Sequence, residues 1–377
     1  MDNIQFIDLQ AQRAYLGSKI DDAMKQVLEH GKYIMGPEVK AFEKQLAEFG
    51  GTNRAISCGN GTDALLLPLM AWGIGKGDAV FCPSFTFAAT AEMIAITGAT
   101  PIFIDVLPST FNIDVKQLER AIEDIKAKGE LEPKVVISVD IFGQIADYKS
   151  LKEICDKHDL KLFSDAAQGF ASSVDGKQAG NFADVVSTSF FPAKPLGCYG
   201  DGGALLTNDD ELADIIESLR VHGKGSDKYD NVRIGVNSRL DTLQAAILIE
   251  KLNIFAEEIE KRNKIAARYS EELADYVSVP FVPEGVVSTW AQYTIQFNKR
   301  DELQTKLKAA NVPSVVYYAK PLHEQTAYKH YPIAGNGLPI TEQLEKTVLS
   351  LPMHPYMDKE TQDYIIKSVK DAVKAIA

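Results

Sequence analysis

In the stretch SFFPAKPLGCYGDGGALL, residues 189–206, a single amine, Lys194, stands between Pro192 and Pro195 and is followed by Gly197, Gly200, Gly202 and Gly203. The ordinary place of a lysine is the solvated surface. Here proline stiffens the backbone on one side, and glycine on the other lets it approach a ligand closely. Upstream, LKLFSDAAQG brings Asp165 to the end of a β-rich run. Its carboxylate there either pairs with a buried cation or caps a following helix. Further upstream, SCGNGTDALLL sets Gly59 and Gly61 between a strand and a helix, with Thr62 and Asp63 at the helix start. Free N–H groups at such a start make an anion site, although Thr62 and Asp63 also suit ordinary N-caps. Together the three segments supply what pyridoxal phosphate needs. They offer an anion cradle, a carboxylate that keeps the pyridine nitrogen protonated, and an amine for a Schiff base.

Other cofactors fit less well. No G-x-x-x-x-G-K-[ST] run occurs, and GNGTDA lacks the last glycine of the dinucleotide fingerprint. The six histidines show no H-E-x-x-H or comparable ligand spacing, so no metal site is expected. Cys198 beside the lysine has no visible partner and reads as small packing.

These residues need elements to hold them. From about residue 54, short β-rich runs alternate with amphipathic helical stretches: RAISC, a helix from Thr62, DAVFCP, a helix from Ala88, TPIFIDV, a helix from Asp114, PKVVISVD, a helix from Asp147, then LKLFSD. The pattern predicts an α/β fold with a mostly parallel sheet. Ligands in such sheets bind at strand C-termini, where SCGNGTD, CPSFTF, SVDIFGQ and SDAAQG all lie. Two more strands, DVVSTSFF and GGALLTN, flank the lysine segment. The periodic run NSRLDTLQAAILIEKLNIFAEEIEKRNKIAARYSEEL reads as one long helix leaving a large domain of residues 1–250. A smaller α+β domain, 251–377, is expected to follow, with strands at QYTIQF and VPSVVYY and helices near 301–310 and 358–375.

Length and charge narrow the class. The 377 residues are 45% hydrophobic, enough for a substantial core, and no apolar run approaches a membrane span. The opening MDNIQFIDLQ does not resemble an export signal. The four cysteines form no C-x-x-C pair, which fits reduced thiols in a cytoplasmic protein. With 40 basic against 52 acidic residues the net charge is −12, which argues against nucleic acid as a partner.

The chain as a whole resembles the DegT/DnrJ/EryC1/StrS family of PLP-dependent nucleotide-sugar aminotransferases, which have fold type I. The resemblance runs through FIDLQAQ, YIMGPEVKAFEKQLAEF, CGNGTDALLL, PSFTFAATAE, DAAQGF, SFFPAKPLGCYGDGGAL, GVNSRLDTLQAAIL, KPLHEQ and LSLPMHP. It implies that Lys194 links covalently to the cofactor, Asp165 pairs with the pyridinium nitrogen and Gln168 reaches the ring hydroxyl. It also implies that Phe87 stacks on the ring, while Thr62, Asp63 and Ser189 bind the phosphate together with Asn237 from the other subunit of a homodimer with shared active sites. Taken singly, Phe87 also suits a core position, Ser189 a strand end and Asn237 a turn.

Within the family, FFPAKPLGCYGDGGA and GVNSRLDTLQAAIL look most like enzymes that aminate C3 of UDP-2-acetamido-2-deoxy-3-keto-glucuronic acid with L-glutamate, for O-antigen sugars. In those enzymes the arginine matching Arg239 and a His-Tyr pair help hold the sugar nucleotide. Here Tyr317 and Tyr318 replace that pair and offer phenol donors. A 4-aminotransferase of a UDP- or dTDP-4-keto-6-deoxy sugar is the alternative. Related sugar dehydratases carry histidine where Lys194 stands, and a non-enzymatic PLP-binding regulator would need no sugar site.

Overall fold

The computed structural model describes residues 4–227 and 229–376. Seven strands form the central sheet: Arg54–Cys58 (β1), Asp78–Pro83 (β2), Thr100–Ile104 (β3), Glu132–Val139 (β4), Lys161–Asp165 (β5), Val185–Ser189 (β6) and Gly203–Thr207 (β7). Their spatial order is β1-β7-β6-β5-β4-β2-β3. Five neighbours from β3 to β6 pair in parallel, and β7 runs antiparallel to both β6 and β1. The expected largely parallel α/β sheet is therefore present. β2 is buried along nearly its whole length, because helices cover both faces of the sheet and leave no solvated side.

Because every strand but β7 runs the same way, the turns after β1, β2, β4, β5 and β6 all emerge at one edge. Register makes this specific. Asp165 pairs with Val139 on one side and Ser187 on the other, while Gly203 pairs with both Ser189 and Cys58. Gly203 is thus where the turn after β1 meets the return from the lysine loop. A Cβ there would lie 2.4 Å from Asn60 O, so only glycine lets the two backbones come so close.

Helix starts follow local chemistry. Asp114 caps Val115–Lys128 by accepting from Lys116 N and Gln117 N, and Asp147 caps Tyr148–His158 by accepting from Ser150 N. The long helix spans Thr242–Leu273, so residue 250 lies inside it. Its C-terminal half, with Tyr293–Gln296, Arg300–Ala309, Val348–Leu351 and Lys359–Lys374, surrounds a separate apolar core that includes Tyr269, Tyr293, Leu303, Leu351 and Ile365. Leu322, Tyr328 and Leu338 instead pack on the central sheet, and Phe103 N donates to Pro332 O at 3.0 Å.

Two features differ from expectation. VPSVVYY is not a strand: Val315 makes a single bridge to Ser350, after which the chain turns toward the sheet edge, where Tyr318 packs on Phe85. Three N-terminal helices, Leu9–Leu16, Lys19–His30 and Pro37–Gly50, lie outside the sequence reading, as does Pro339–Thr347. No described helix is long and apolar enough to cross a membrane.

Candidate active site

Lys194 sits in the loop joining β6 to β7. Its backbone N–H donates to Phe191 O at 2.8 Å, and Phe190 O receives both Cys198 N (2.8 Å) and Cys198 Sγ (3.1 Å). Below the loop, Lys251 is fully buried, donates to Gly197 O at 2.6 Å and lies 4.2 Å from the Tyr199 ring. Burial lowers its pKa to about 8. Sequence reading missed Lys251, since one lysine in a long amphipathic helix looks like its solvated face. Burial pushes the Cys198 thiol up to about 11, which suits a packed residue.

The Lys194 side chain is half-buried, and its amine forms no hydrogen bond or ion pair with protein groups among the described residues. Burial lowers its pKa, while the nearby Asp165 carboxylate opposes that shift. Burial raises the pKa of Asp165, against bonds from Ala167 N (3.2 Å) and Thr90 Oγ1 (2.9 Å) and the charge of Lys194. No helix follows Asp165: residues 167–171 form turns, so the carboxylate is not a helix cap.

At the start of Gly61–Ala71 the cap is Asn60, whose Oδ1 accepts from Asp63 N at 2.8 Å. This corrects the capping role considered for Thr62 and Asp63. Asp63, which the resemblance places at the phosphate, bonds within the turn and to Ser238. Its N–H is taken, and its carboxylate accepts from Asn60 Nδ2 (3.1 Å) and Ser238 Oγ (2.7 Å). The N–H groups of Gly61 and Thr62 lie in the first turn, outside the helix's own bonding. Ser189 closes the cradle: a Cβ on Gly61 would stand 2.5 Å from Ser189 Cβ. Such a cradle of first-turn N–H groups and hydroxyls fits a phosphate.

Two further residues brace this turn without any local signal in the sequence. Ser238 Oγ accepts from Gly59 N at 2.9 Å. Arg220, nearly fully buried, donates to Glu43 Oε1 and to Ser57 O, each at 2.5 Å, just before the turn. Asn237 and Arg239 flank Ser238 but bond to each other, with Arg239 Nε donating to Asn237 Oδ1 at 2.9 Å. Among the described residues, neither has a hydrogen bond or ion pair to Lys194 or Asp165 of the same chain. Phe87 is 61% exposed, an apolar ring available to a ligand rather than part of the core. Gln168 is buried and bonds to Phe142 N and Tyr318 OH, while Tyr317 is half-buried beside Phe6.

Behind Asp165 lies a second buried carboxyl, Asp140. It accepts from Ala146 N (2.9 Å) and Ser164 Oγ (3.3 Å), and burial raises its pKa to about 7, with Asp165 adding to the shift. Since an unfolded aspartate titrates near about 3.9, the folded state holds the extra proton between roughly pH 4 and 7, and stability falls as pH rises through that window. Asp140→Asn keeps an acceptor for Ala146 N and removes the ionisation. Its stability is expected to gain on the wild type progressively from pH 4 to 7, by at most about a few kcal/mol, with a matching rise in relative melting temperature. Thermal scans across that range check this, and parallel curves would assign Asp140 a fixed protonation state.

The chain matches the model of the DegT/DnrJ/EryC1/StrS aminotransferase family over residues 14–370. It is 47% identical over 356 residues, 94% of this chain and 96% of the relative, to a UDP-2-acetamido-2-deoxy-3-oxo-D-glucuronate aminotransferase of Pseudomonas aeruginosa. Its fold is similar to that of a DegT DnrJ EryC1 StrS aminotransferase from Brucella abortus, with a TM-score of 0.97 and 54% identity over 98% of this chain and 99% of the other. A second solved structure, NtdA from Bacillus subtilis with bound cofactor PMP, aligns with a TM-score of 0.86 and 30% identity, covering 98% of this chain and 83% of that one.

Proposed function

The chain belongs to the DegT/DnrJ/EryC1/StrS aminotransferase family, and from that premise we propose that it transfers an amino group from L-glutamate to C3 of UDP-2-acetamido-2-deoxy-3-keto-D-glucuronic acid. It is a sugar transaminase that uses pyridoxal phosphate. The observation that carries the reading is the nearness, at one sheet edge, of the unbonded amine of Lys194 to the buried carboxylate of Asp165, each of which shifts the other's pKa. The choice of sugar is supported by the 47% identity to the Pseudomonas aeruginosa enzyme.

Bound here, the cofactor supplies an aldehyde for amine exchange and a ring that accepts electrons. The chain does the rest. The N–H groups of Gly61 and Thr62, with the hydroxyls of Thr62 and Ser189, hold the phosphate. Asp165 keeps a proton on the ring nitrogen, Gln168 serves the ring oxygen and Phe87 covers the ring face. Lys194 Nζ, whose desolvation favours the neutral amine, is the covalent partner and then the base that takes the proton from glutamate Cα. Arg239 and Tyr317 are assigned to the sugar nucleotide, whose uronic carboxylate needs a local cation on an acidic chain.

We place Asn237 and Arg239 in the site of a second protomer. Tyr33, Ile34, Met35, Tyr199 and Ile234 are exposed apolar residues. Several adjoin the start of the long helix just after Arg239: Ile34 bridges Asp241, and Tyr199 N donates to Gln244. A second copy would cover this patch. Mixing Lys194→Ala chains with Asn237→Asp chains, whose new carboxylate repels the phosphate, is expected to restore activity. A mixed dimer holds one site with both lesions and one with neither. No recovery after demonstrated subunit exchange would put Asn237 in its own chain's site.

The four cysteines are buried and unpaired, which supports a cytoplasmic enzyme, and the product suits bacterial surface polysaccharides such as O-antigen. The deciding experiment is a glutamate-dependent assay against UDP-linked 3-keto uronic acid and UDP- and dTDP-linked 4-keto-6-deoxy sugars. Preference for a neutral 4-keto sugar would overturn the substrate and leave the transaminase reading intact.

A further inference from the structure

The two adjacent tyrosines have different surroundings, and the difference begins at Gln168. Phe142 N–H reaches Gln168 Oε1 at 2.7 Å, so that atom is the carbonyl oxygen. Flipping the amide would set two N–H donors against each other. Nε2 is therefore the nitrogen, and one of its protons goes to Tyr318 OH at 2.9 Å, which accepts. The second proton remains. Tyr318 is held in place for this task, meeting Phe85 edge-on at 6.0 Å and Tyr317 at 5.7 Å. Burial raises its phenol well above the ordinary range, so it stays protonated at neutral pH. If Tyr318 turned its oxygen toward a substrate, Gln168, only 6% exposed, would lose an acceptor it cannot replace with water.

Tyr317 is different. It is half-buried, lies 6.5 Å from the Phe6 ring and makes no side-chain hydrogen bond among the described residues. Its hydroxyl is uncommitted.

We infer that the pair divides its work: Tyr318 is a positioning residue that, with the Phe142 N–H, locks the Gln168 amide so that its second N–H is left for the cofactor's ring oxygen, while Tyr317 alone faces the sugar nucleotide. This rests on the pyridoxal phosphate site proposed above. It withdraws Tyr318 from the sugar-binding set expected from sequence.

The test uses holoenzyme and two single variants that each remove one oxygen. Hydrogen bonding at the ring oxygen controls the pKa of the visible band of the lysine-bound cofactor, so Tyr318→Phe is expected to shift that pKa by at least about half a unit. It should also slow the glutamate half-reaction about tenfold, since a freed amide no longer holds its bond. Tyr317→Phe should leave the band's pKa in place and weaken binding of the UDP-linked 3-amino uronic acid, measured by calorimetry, about tenfold. Two further variants, Gln168→Ala and its double with Tyr318→Phe, separate positioning from direct contact. If Tyr318 acts through Gln168, adding Tyr318→Phe to Gln168→Ala moves the band no further than Gln168→Ala alone.

Additive shifts would overturn the inference, as would a Tyr318→Phe enzyme with an unmoved band and weakened sugar binding. Failure of the wild type to form a visible band with pyridoxal phosphate would instead sink the cofactor site itself, and the division of the tyrosines with it.

Discussion

Lys194→Ala is expected to keep the fold and lose turnover by at least about 10⁴-fold, because the proposed mechanism gives one side chain both the covalent link and the proton transfer, each worth on the order of 10² to 10⁴. The fold should survive because the amine makes no hydrogen bond or ion pair among the described residues. The loop that carries it is held elsewhere, by Lys251 on Gly197 O and by Cys198 on Phe190 O. Circular dichroism and melting would then match the wild type, while single-turnover mixing with glutamate would show no conversion of the cofactor to its amine form. A variant that still turns over near the normal rate would remove Lys194 from the chemistry.

The second large effect belongs to Asp165→Asn. Amide and carboxylate have nearly the same shape. The bond from Ala167 N can persist at Oδ1, and the Thr90 hydroxyl, now facing an amide, can rotate to accept. What disappears is the negative charge that, in the proposed site, holds a proton on the ring nitrogen. The glutamate half-reaction should slow by roughly 10² to 10³, with cofactor retention changed far less, in line with the size of electrostatic contributions in buried sites. Burial raises the pKa of this carboxyl, so ionising it carries a desolvation cost in the folded state that the amide avoids. The variant should therefore melt no lower than the wild type near neutral pH. Rapid-mixing spectra and thermal scans separate the two expectations. Unchanged kinetics would reduce Asp165 to a structural acceptor for Thr90 and Ala167.

Lys194, Asp165 and the Gly59–Gly61 turn were legible in the sequence because their signals are local. Each lies at the end of a β-rich run, and parallel strands alternating with helices must bring such ends to one edge of a sheet. Asp114 and Asp147 were legible as helix starts for the same reason, since a side chain caps an N–H two or three residues away. Residue type and short spacing were enough there.

Tertiary structure decided everything that depends on partners far along the chain. Asn60 rather than Thr62 caps the helix after the Gly59–Gly61 turn, and Asp63 is drawn to Ser238, 175 residues on. Arg220 braces the turn through Glu43, 177 residues back, in a buried contact that no periodicity announces. VPSVVYY has the composition of a strand, yet it receives a single bridge and delivers Tyr318 to Gln168, 150 residues earlier in the chain. Strand propensity describes a residue's fit to a half-buried pleated surface. Whether a neighbouring strand exists to make that surface, and which buried donor then needs the tyrosine's oxygen, is set by how distant segments pack.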